Sequence, residues 1–265
     1  MLKKIGLLLA LVGLVAYINP ALATKPVDEQ AIPEVDGIYD VAGHPEMKVH
    51  VFVHKAPGKP VNSGKPGPGT STRVCGLASA DQDSAAVTGA TGWHIPTGTW
   101  TYSVNQAVPA TVTGNVNTIA NNAFNAWRGV AQLNSKITIE QGANTSVNRA
   151  KLDGQNIIAW GTTSGSALAV TYTWYNQSTG VVTENDTIMN NKFSWNWGNA
   201  GNDCAWTNVY DAQDIMTHEL GHWFGLKDHY TADYVNNTMY GYGATGEVKS
   251  NTLTIGDKLG IEAIY

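Results

Sequence analysis

Apolar residues are ordered in two different ways along the chain. Through residues 24–92 they make one regular pattern, the alternating stretch KVHVFVHK at 48–55, which predicts a strand. His50 and His54 share a face of it and, with no acidic neighbour or third ligand beside them, read as surface or packing residues. The piece PGKPVNSGKPGPG (57–69) is dense in proline and glycine, has no apolar period, and predicts a flexible or extended linker. From about Trp93 the pattern tightens. TWTYSVN (99–105) predicts a first strand. Val112, Val116, Ile119, Ala120, Ala123, Phe124, Trp127 and Val130 then recur at helical spacing and predict a long amphipathic helix. KITIE (136–140), NIIAW (156–160), SALAVTYTWY (166–175) and VVTENDTIMN (181–190) complete five strands, the third apolar through its centre as an internal strand requires. After a Trp/Asn/Gly-rich loop at 192–207, two more helices are expected. One runs from an N-cap at Asp211 to a stop at Gly225; the other lies in 254–265, where Thr254 and Asp257 have capping-box spacing. Strands with flanking helices and an active helix late in the chain predict an α+β domain over residues 93–265, built on a twisted, mixed, five-stranded sheet.

The first residues carry a different pattern. Lys3 and Lys4 precede an apolar run at 5–18, and Ala21-Leu22-Ala23 supplies an A-x-A cleavage site. Residues 1–23 are therefore expected to be a signal peptide, residues 24–92 an N-terminal extension or propeptide-like segment, and the mature protein secreted or at the cell surface. Fourteen apolar residues are short for a membrane span, so no stable span is expected after cleavage. Composition agrees: charged residues are only 14 % of the 265, and the formal charge of −5 becomes two units more negative without Lys3 and Lys4. An acidic surface of this kind argues against nucleic acid or anionic membrane as a partner. The two cysteines, Cys75 and Cys204, are most simply a disulfide in an exported chain. Trp195, Trp197 and Trp206 lie in the loop rather than on a predicted strand or helix, and a ligand role for them stays open beside core packing.

The chemistry is concentrated in HELGHWFGLKDH, residues 218–229. His218 and His222, four residues apart, share one helix face and can aim at one metal ion. A catalytic zinc takes three protein ligands and keeps a position for water. Glu219 stands beside that water, where it can take a proton as general base. Gly225 lets the chain turn sharply off the helix. The residue three later, Asp228, then offers a third ligand; His229, a nitrogen donor one position out of register, is the rival. Met239, 17 residues beyond His222, sits in the Asn- and Gly-rich turn NNTMYGYG (236–243).

The string H-E-x-x-H-x-x-G-x-x-D together with Met239 resembles the metzincin signature, and the likeness to matrixin-type metzincins covers residues 93–265. TWTYSVN and the helix ending NAFNAW match, as do TYTWY followed by ENDTIMNN, and MYGY followed by TLTIGDKLGIEAIY. The resemblance implies a zincin-like fold with a long first helix, an active-site helix and a C-terminal helix. It implies Zn2+ as cofactor, with structural Ca2+ left open, and hydrolysis of a peptide or protein substrate by a monomeric endopeptidase. It also implies that the fourth strand, 166–175, lies at the sheet edge and binds an extended peptide by backbone pairing. Segment 229–250 would shape the pocket for the residue after the scissile bond. RVCGLASAD (73–81) resembles, with two prolines missing and Val74 inserted, the propeptide cysteine switch of this group. Cys75 thus has a second reading, as a thiolate on the metal. The alternative function is a catalytically idle fold serving as an extracellular binding module; the intact Glu219, His218 and His222 speak against it.

Overall fold

The computed structural model describes residues 32–56, 71–77, 84–198 and 203–265. The expected signal peptide (1–23), the Pro/Gly-rich stretch 57–69 and the end of RVCGLASAD lie outside them. In chain order the elements are β1 (Gly37–Val41), β2 (His44–Lys55), β3 (Arg73–Val74), β4 (Gly98–Val104), α1 (Val116–Arg128) and α2 (Ala131–Lys136). They continue with β5 (Ile137–Gln141), β6 (Ile157–Gly161), β7 (Ala167–Asn176), β8 (Val182–Asn190), β9 (Trp195–Asn196), β10 (Ala205–Trp206), β11 (Tyr210–Asp211), α3 (Ala212–Trp223) and α4 (Ile255–Glu262).

The main sheet has seven strands in the order β1-β2-β7-β8-β6-β4-β5. Strands β5, β4, β6 and β8 run parallel, while β7, β2 and β1 are joined antiparallel. The five strands expected from 93–265 are all present. The two extra ones come from residues 37–55, and they alter the role expected of β7. Residues 47–55 pair with 167–176 along the whole of β7, so β7 is an inner strand, not a sheet edge. Alternation within 48–55 fixes that a strand forms there; which neighbour it takes is decided by long-range pairing that no local pattern encodes.

Both faces of the sheet are covered, and this explains strands that are apolar throughout. All five residues of β6 are buried. On one face Trp100, Tyr102, Ile158, Leu168 and Met189 meet the helices; on the other Val51, Val53, Ile157, Val170, Trp174 and Ile188 meet Val147, Ala150 and Leu152. The loop carrying Ala150 and Leu152 is fastened by carboxylates of β8. Asp186 accepts the Lys151 N–H at 2.9 Å and Glu184 accepts that of Asp153 at 3.0 Å.

Helix α1 buries Val116, Ile119, Ala120, Ala123, Phe124 and Trp127, the stripe its spacing predicts, and Asn115 caps it by accepting the Asn117 N–H. The expected helix through Val130 is interrupted: Gly129 ends α1 and extended Val130 opens α2. Trp127 Nε1 donates to the Thr217 carbonyl at 2.8 Å and locks α1 to α3. All twelve residues of α3 are buried. Asp211 caps it by accepting the N–H groups of Gln213 and Asp214. Thr254 and Asp257 form the expected capping box of α4. Asp257 does more than cap: its Oδ2 accepts the Thr238 N–H at 2.8 Å, which ties the methionine turn to the last helix.

Cys75 and Cys204 are disulfide-bonded, and no cysteine is free. The thiolate switch read from RVCGLASAD is therefore excluded in this state. The bond holds β3 against β10, with Ala205 opposite Val74. The loop tryptophans are largely accounted for by packing: Trp195 is fully buried with Nε1 donating to the Asn190 carbonyl, and Trp197 Nε1 donates to Gln213.

Candidate active site

His218 and His222 stand one turn apart on α3, their ring centroids 5.0 Å apart. Each ring is oriented through Nδ1, His218 by the Thr238 carbonyl at 2.7 Å and His222 by the Leu226 carbonyl at 2.9 Å. A carbonyl can only accept, so the proton lies on Nδ1 and the Nε2 lone pair of each ring is left free. Gly225 makes the turn that brings these partners round. Its φ is +97°, and a side chain there would meet the Trp93 carbonyl at 2.5 Å, so only glycine fits the conformation and the space. Beyond the turn Asp228 Oδ1 comes to 3.0 Å from His218 Nε2 and 3.5 Å from His222 Nε2.

His218 Nε2, His222 Nε2 and Asp228 Oδ1 are all buried with no hydrogen-bond partner. Three lone-pair atoms clustered out of water are costly unless something positive lies between them. They lie within 4.8 Å of one another, a spacing that one ion with bonds of about 2.0–2.2 Å can bridge. The donor set and the orphaned atoms fit a zinc ion. Burial would push the Asp228 carboxyl up, but the two imidazoles hold it well below the usual range. His229 lies outside this cluster. Its Nε2 accepts the Gly89 N–H at 2.8 Å, and its ring stacks on Tyr234 at 3.9 Å.

Beneath the histidines the packing is close. A Cβ on Gly221 would stand 2.2 Å from Met239 Sδ and 2.8 Å from Trp127, so the turn methionine is seated where α3 has no side chain. Met239 and Gly221 thus form a matched pair beneath the two histidines.

Glu219 is fully buried, with its two oxygens in different surroundings. Oε2 accepts from Thr171 Oγ1 of β7 at 2.5 Å. Thr171 Oγ1 lies 2.7 Å from Thr187 Oγ1, and Thr187 Oγ1 accepts from Trp223 Nε1 at 2.9 Å. Because the Thr171 proton goes to the carboxylate, Thr187 donates to Thr171, and the chain of donors runs from Trp223 to Glu219. Oε1 has no hydrogen-bond partner. Burial would raise the Glu219 carboxyl, yet the neighbouring His54, His218 and His222 leave it lowered, and so ionised.

The sequence did not reveal His54 or Phe52. His54 is 1 % exposed and therefore not a surface residue. Its Nδ1 is 3.4 Å from Glu219 Oε1, and its ring meets that of His218 edge-on at 3.9 Å. Phe52 stacks on His222 at 3.9 Å, nearly parallel, and His50 lies 3.9 Å from Phe52. One face of β2 thus covers His218, Glu219 and His222. Its period of two was visible in the sequence; its destination was not.

The model of the matrixin peptidase family matches residues 92–265, which is most of the chain. This chain is a member of the matrixin family. No curated protein matches it. Membership makes this matrixin a metallopeptidase by descent and implies zinc as its metal, in agreement with the cluster on α3. Matrixins act on peptide or protein substrates and are generally secreted or extracellular. Among the described residues no helix is long and apolar enough to cross a membrane.

Proposed function

We propose that this matrixin is an exported zinc endopeptidase in which His218, His222 and Asp228 hold the metal and Glu219 is the general base. The observation that carries this reading is the meeting of three buried, partnerless ligand atoms beside an ionised glutamate with one free oxygen. Residues 1–23 would direct export, 24–92 would form the N-terminal extension, and 93–265 would carry catalysis as a monomer.

When bound, zinc supplies a Lewis acid that polarises the scissile carbonyl and acidifies a water. The chain supplies the rest. Glu219 Oε1 receives the proton of that water and returns it to the leaving amine. The Trp223–Thr187–Thr171 chain holds Oε2 so that Oε1 keeps a fixed aim. Tyr230 and Tyr240 pack on Tyr242 in the segment that follows the metal ligands.

The test compares zinc-loaded wild type with Glu219→Ala in digestion of casein. Loss of a general base lowers the rate by ~10²–10⁴-fold with zinc still bound. A variant that holds zinc and cuts casein as fast as wild type would refute the assignment. Zinc-loaded wild type that cleaves nothing across a diverse peptide library would favour the idle binding module.

A further inference from the structure

Each of the three candidate ligands presents one free atom because its other polar atom is engaged. For His218 and His222 the partner is a backbone carbonyl. For Asp228 it is a side chain. Tyr230 Oη donates to Asp228 Oδ2 at 3.2 Å, while Oδ1 stays buried and partnerless beside the two imidazoles. The imidazoles keep the carboxyl ionised, so it accepts and the phenol donates. A carboxylate with no such partner can turn about its Cβ–Cγ bond and exchange its two oxygens. One held at Oδ2 offers Oδ1 alone.

The phenol is itself held in place. Residues 228–230 run extended beside the methionine turn: the His229 N–H donates to the Met239 carbonyl at 3.0 Å, and the His229 carbonyl accepts the Gly241 N–H at 2.9 Å. Extended backbone sends alternate side chains to opposite sides. His229 accordingly leaves toward Gly89, while Asp228 and Tyr230 meet on the other side. The Tyr230 ring lies against Gly241, where a Cβ would stand 2.3 Å from its Cε1 and 2.9 Å from its oxygen. Tyr242 meets the ring edge-on at 5.1 Å, and Lys55 Nζ lies over it, 5.4 Å from its centre. Tyr230 is nevertheless 38 % exposed, so core packing does not account for it, and the hydroxyl is the part that touches the site.

We propose that Tyr230 is a positioning residue for the metal. Its hydroxyl fixes the Asp228 carboxylate so that Oδ1 alone is offered to the ion, and position 241 is glycine to leave room for the ring. With the Thr238 and Leu226 carbonyls it completes a set of outer partners, one for each ligand. It differs from them in kind. A carbonyl accepting from Nδ1 makes an imidazole a stronger donor, whereas the phenol draws electron density from the carboxylate and passes less negative charge to the ion. The inference rests on the zinc assignment made above.

Tyr230→Phe tests it by removing the hydroxyl and keeping the ring. Tyr234→Phe is the control, since it removes a hydroxyl that donates at the same 3.2 Å to the Val87 carbonyl and touches no ligand. Zinc affinity is measured on the full-length wild type and both variants by competition with a chromophoric chelator. The zinc Kd should rise about tenfold in Tyr230→Phe and stay at the wild-type value in Tyr234→Phe. The visible bands of the cobalt-loaded chains give a second readout. They should shift and weaken in Tyr230→Phe, as the released carboxylate brings its second oxygen to the ion, and superimpose on wild type in Tyr234→Phe. Urea unfolding of the metal-free chains should be the same for wild type and Tyr230→Phe. Equal zinc affinity in wild type and Tyr230→Phe, or an equal loss in both variants, overturns the proposal and keeps the zinc site. A wild type that takes up neither zinc nor cobalt overturns the zinc assignment itself and the proposal with it.

Discussion

Single residues here act through what they leave unbonded. The Nε2 atoms of His218 and His222 are free because Nδ1 of each ring is spent on a carbonyl, and Glu219 Oε1 is free because Thr171 takes Oε2. In the proposed mechanism Thr171 acts by positioning Glu219, without reaching the substrate. Thr171→Val keeps the shape and removes the donor. A hydrogen bond to a charged group is worth ~1.5–3 kcal/mol, so kcat/KM should fall about 10- to 100-fold with zinc content unchanged. Steady-state kinetics with metal analysis on the same sample checks this; a loss of zinc in parallel with activity would mean that Thr171 supports the metal instead. The threonine was not identifiable from the sequence as a partner of Glu219. In SALAVTYTWY it is an ordinary strand residue, and only the packing of α3 on β7 gives it a partner 48 positions away.

At the scale of elements the N-terminal end of α3 carries an acid pair that is expensive to keep charged. Burial pushes Asp211 up to about 6 and Asp214 to about 7, the second also raised by the charge of the first, although both accept backbone N–H groups. A carboxyl raised in the folded state binds more protons folded than unfolded, so its contribution is present below its ordinary value near 3.8 and is lost as pH rises toward 7. Wild type should thus lose stability between about pH 4 and pH 7 from this pair. Asp214→Asn can still accept the Ser250 N–H through its amide oxygen and should flatten the fall, by on the order of 2 kcal/mol. Urea unfolding at pH 5 and pH 8 on both proteins measures the difference, and parallel curves would discount the pair. Much at this scale was legible in advance. Helix α1 follows from apolar spacing, α3 from its cap at Asp211 and α4 from the Thr254–Asp257 box with its apolar face, and the five strands of 99–190 follow from alternation and, for 156–160, a continuous apolar run. The end of α1 was set too late, because Val130 continues the apolar stripe while Gly129 already ends the helix.

At the scale of the molecule two features escaped the sequence for one reason: they join residues more than a hundred positions apart. The hairpin was legible as a strand, but its seat on β7 depends on a register shared with residues 167–176. His54 was visible as a strand histidine, and nothing near it in the chain says that its face lies over α3. The grouping of His218, His222 and Asp228 was legible because the three candidate ligands and the turning glycine fall within eleven residues, where helix geometry limits where they point. That Asp228 and not His229 meets the two histidines needed the fold, since it turns on where the chain lies after Gly225 and on the Gly89 N–H that His229 accepts.

The central claim is that His218, His222 and Asp228 together hold the zinc on which cleavage depends. The most direct measurement is zinc per chain by mass spectrometry after dialysis against a weak chelator, for wild type, Asp228→Ala and His229→Ala. One zinc is expected in wild type and in His229→Ala, and a metal-depleted, inactive Asp228→Ala that remains folded. Full zinc in Asp228→Ala together with its loss from His229→Ala would contradict it.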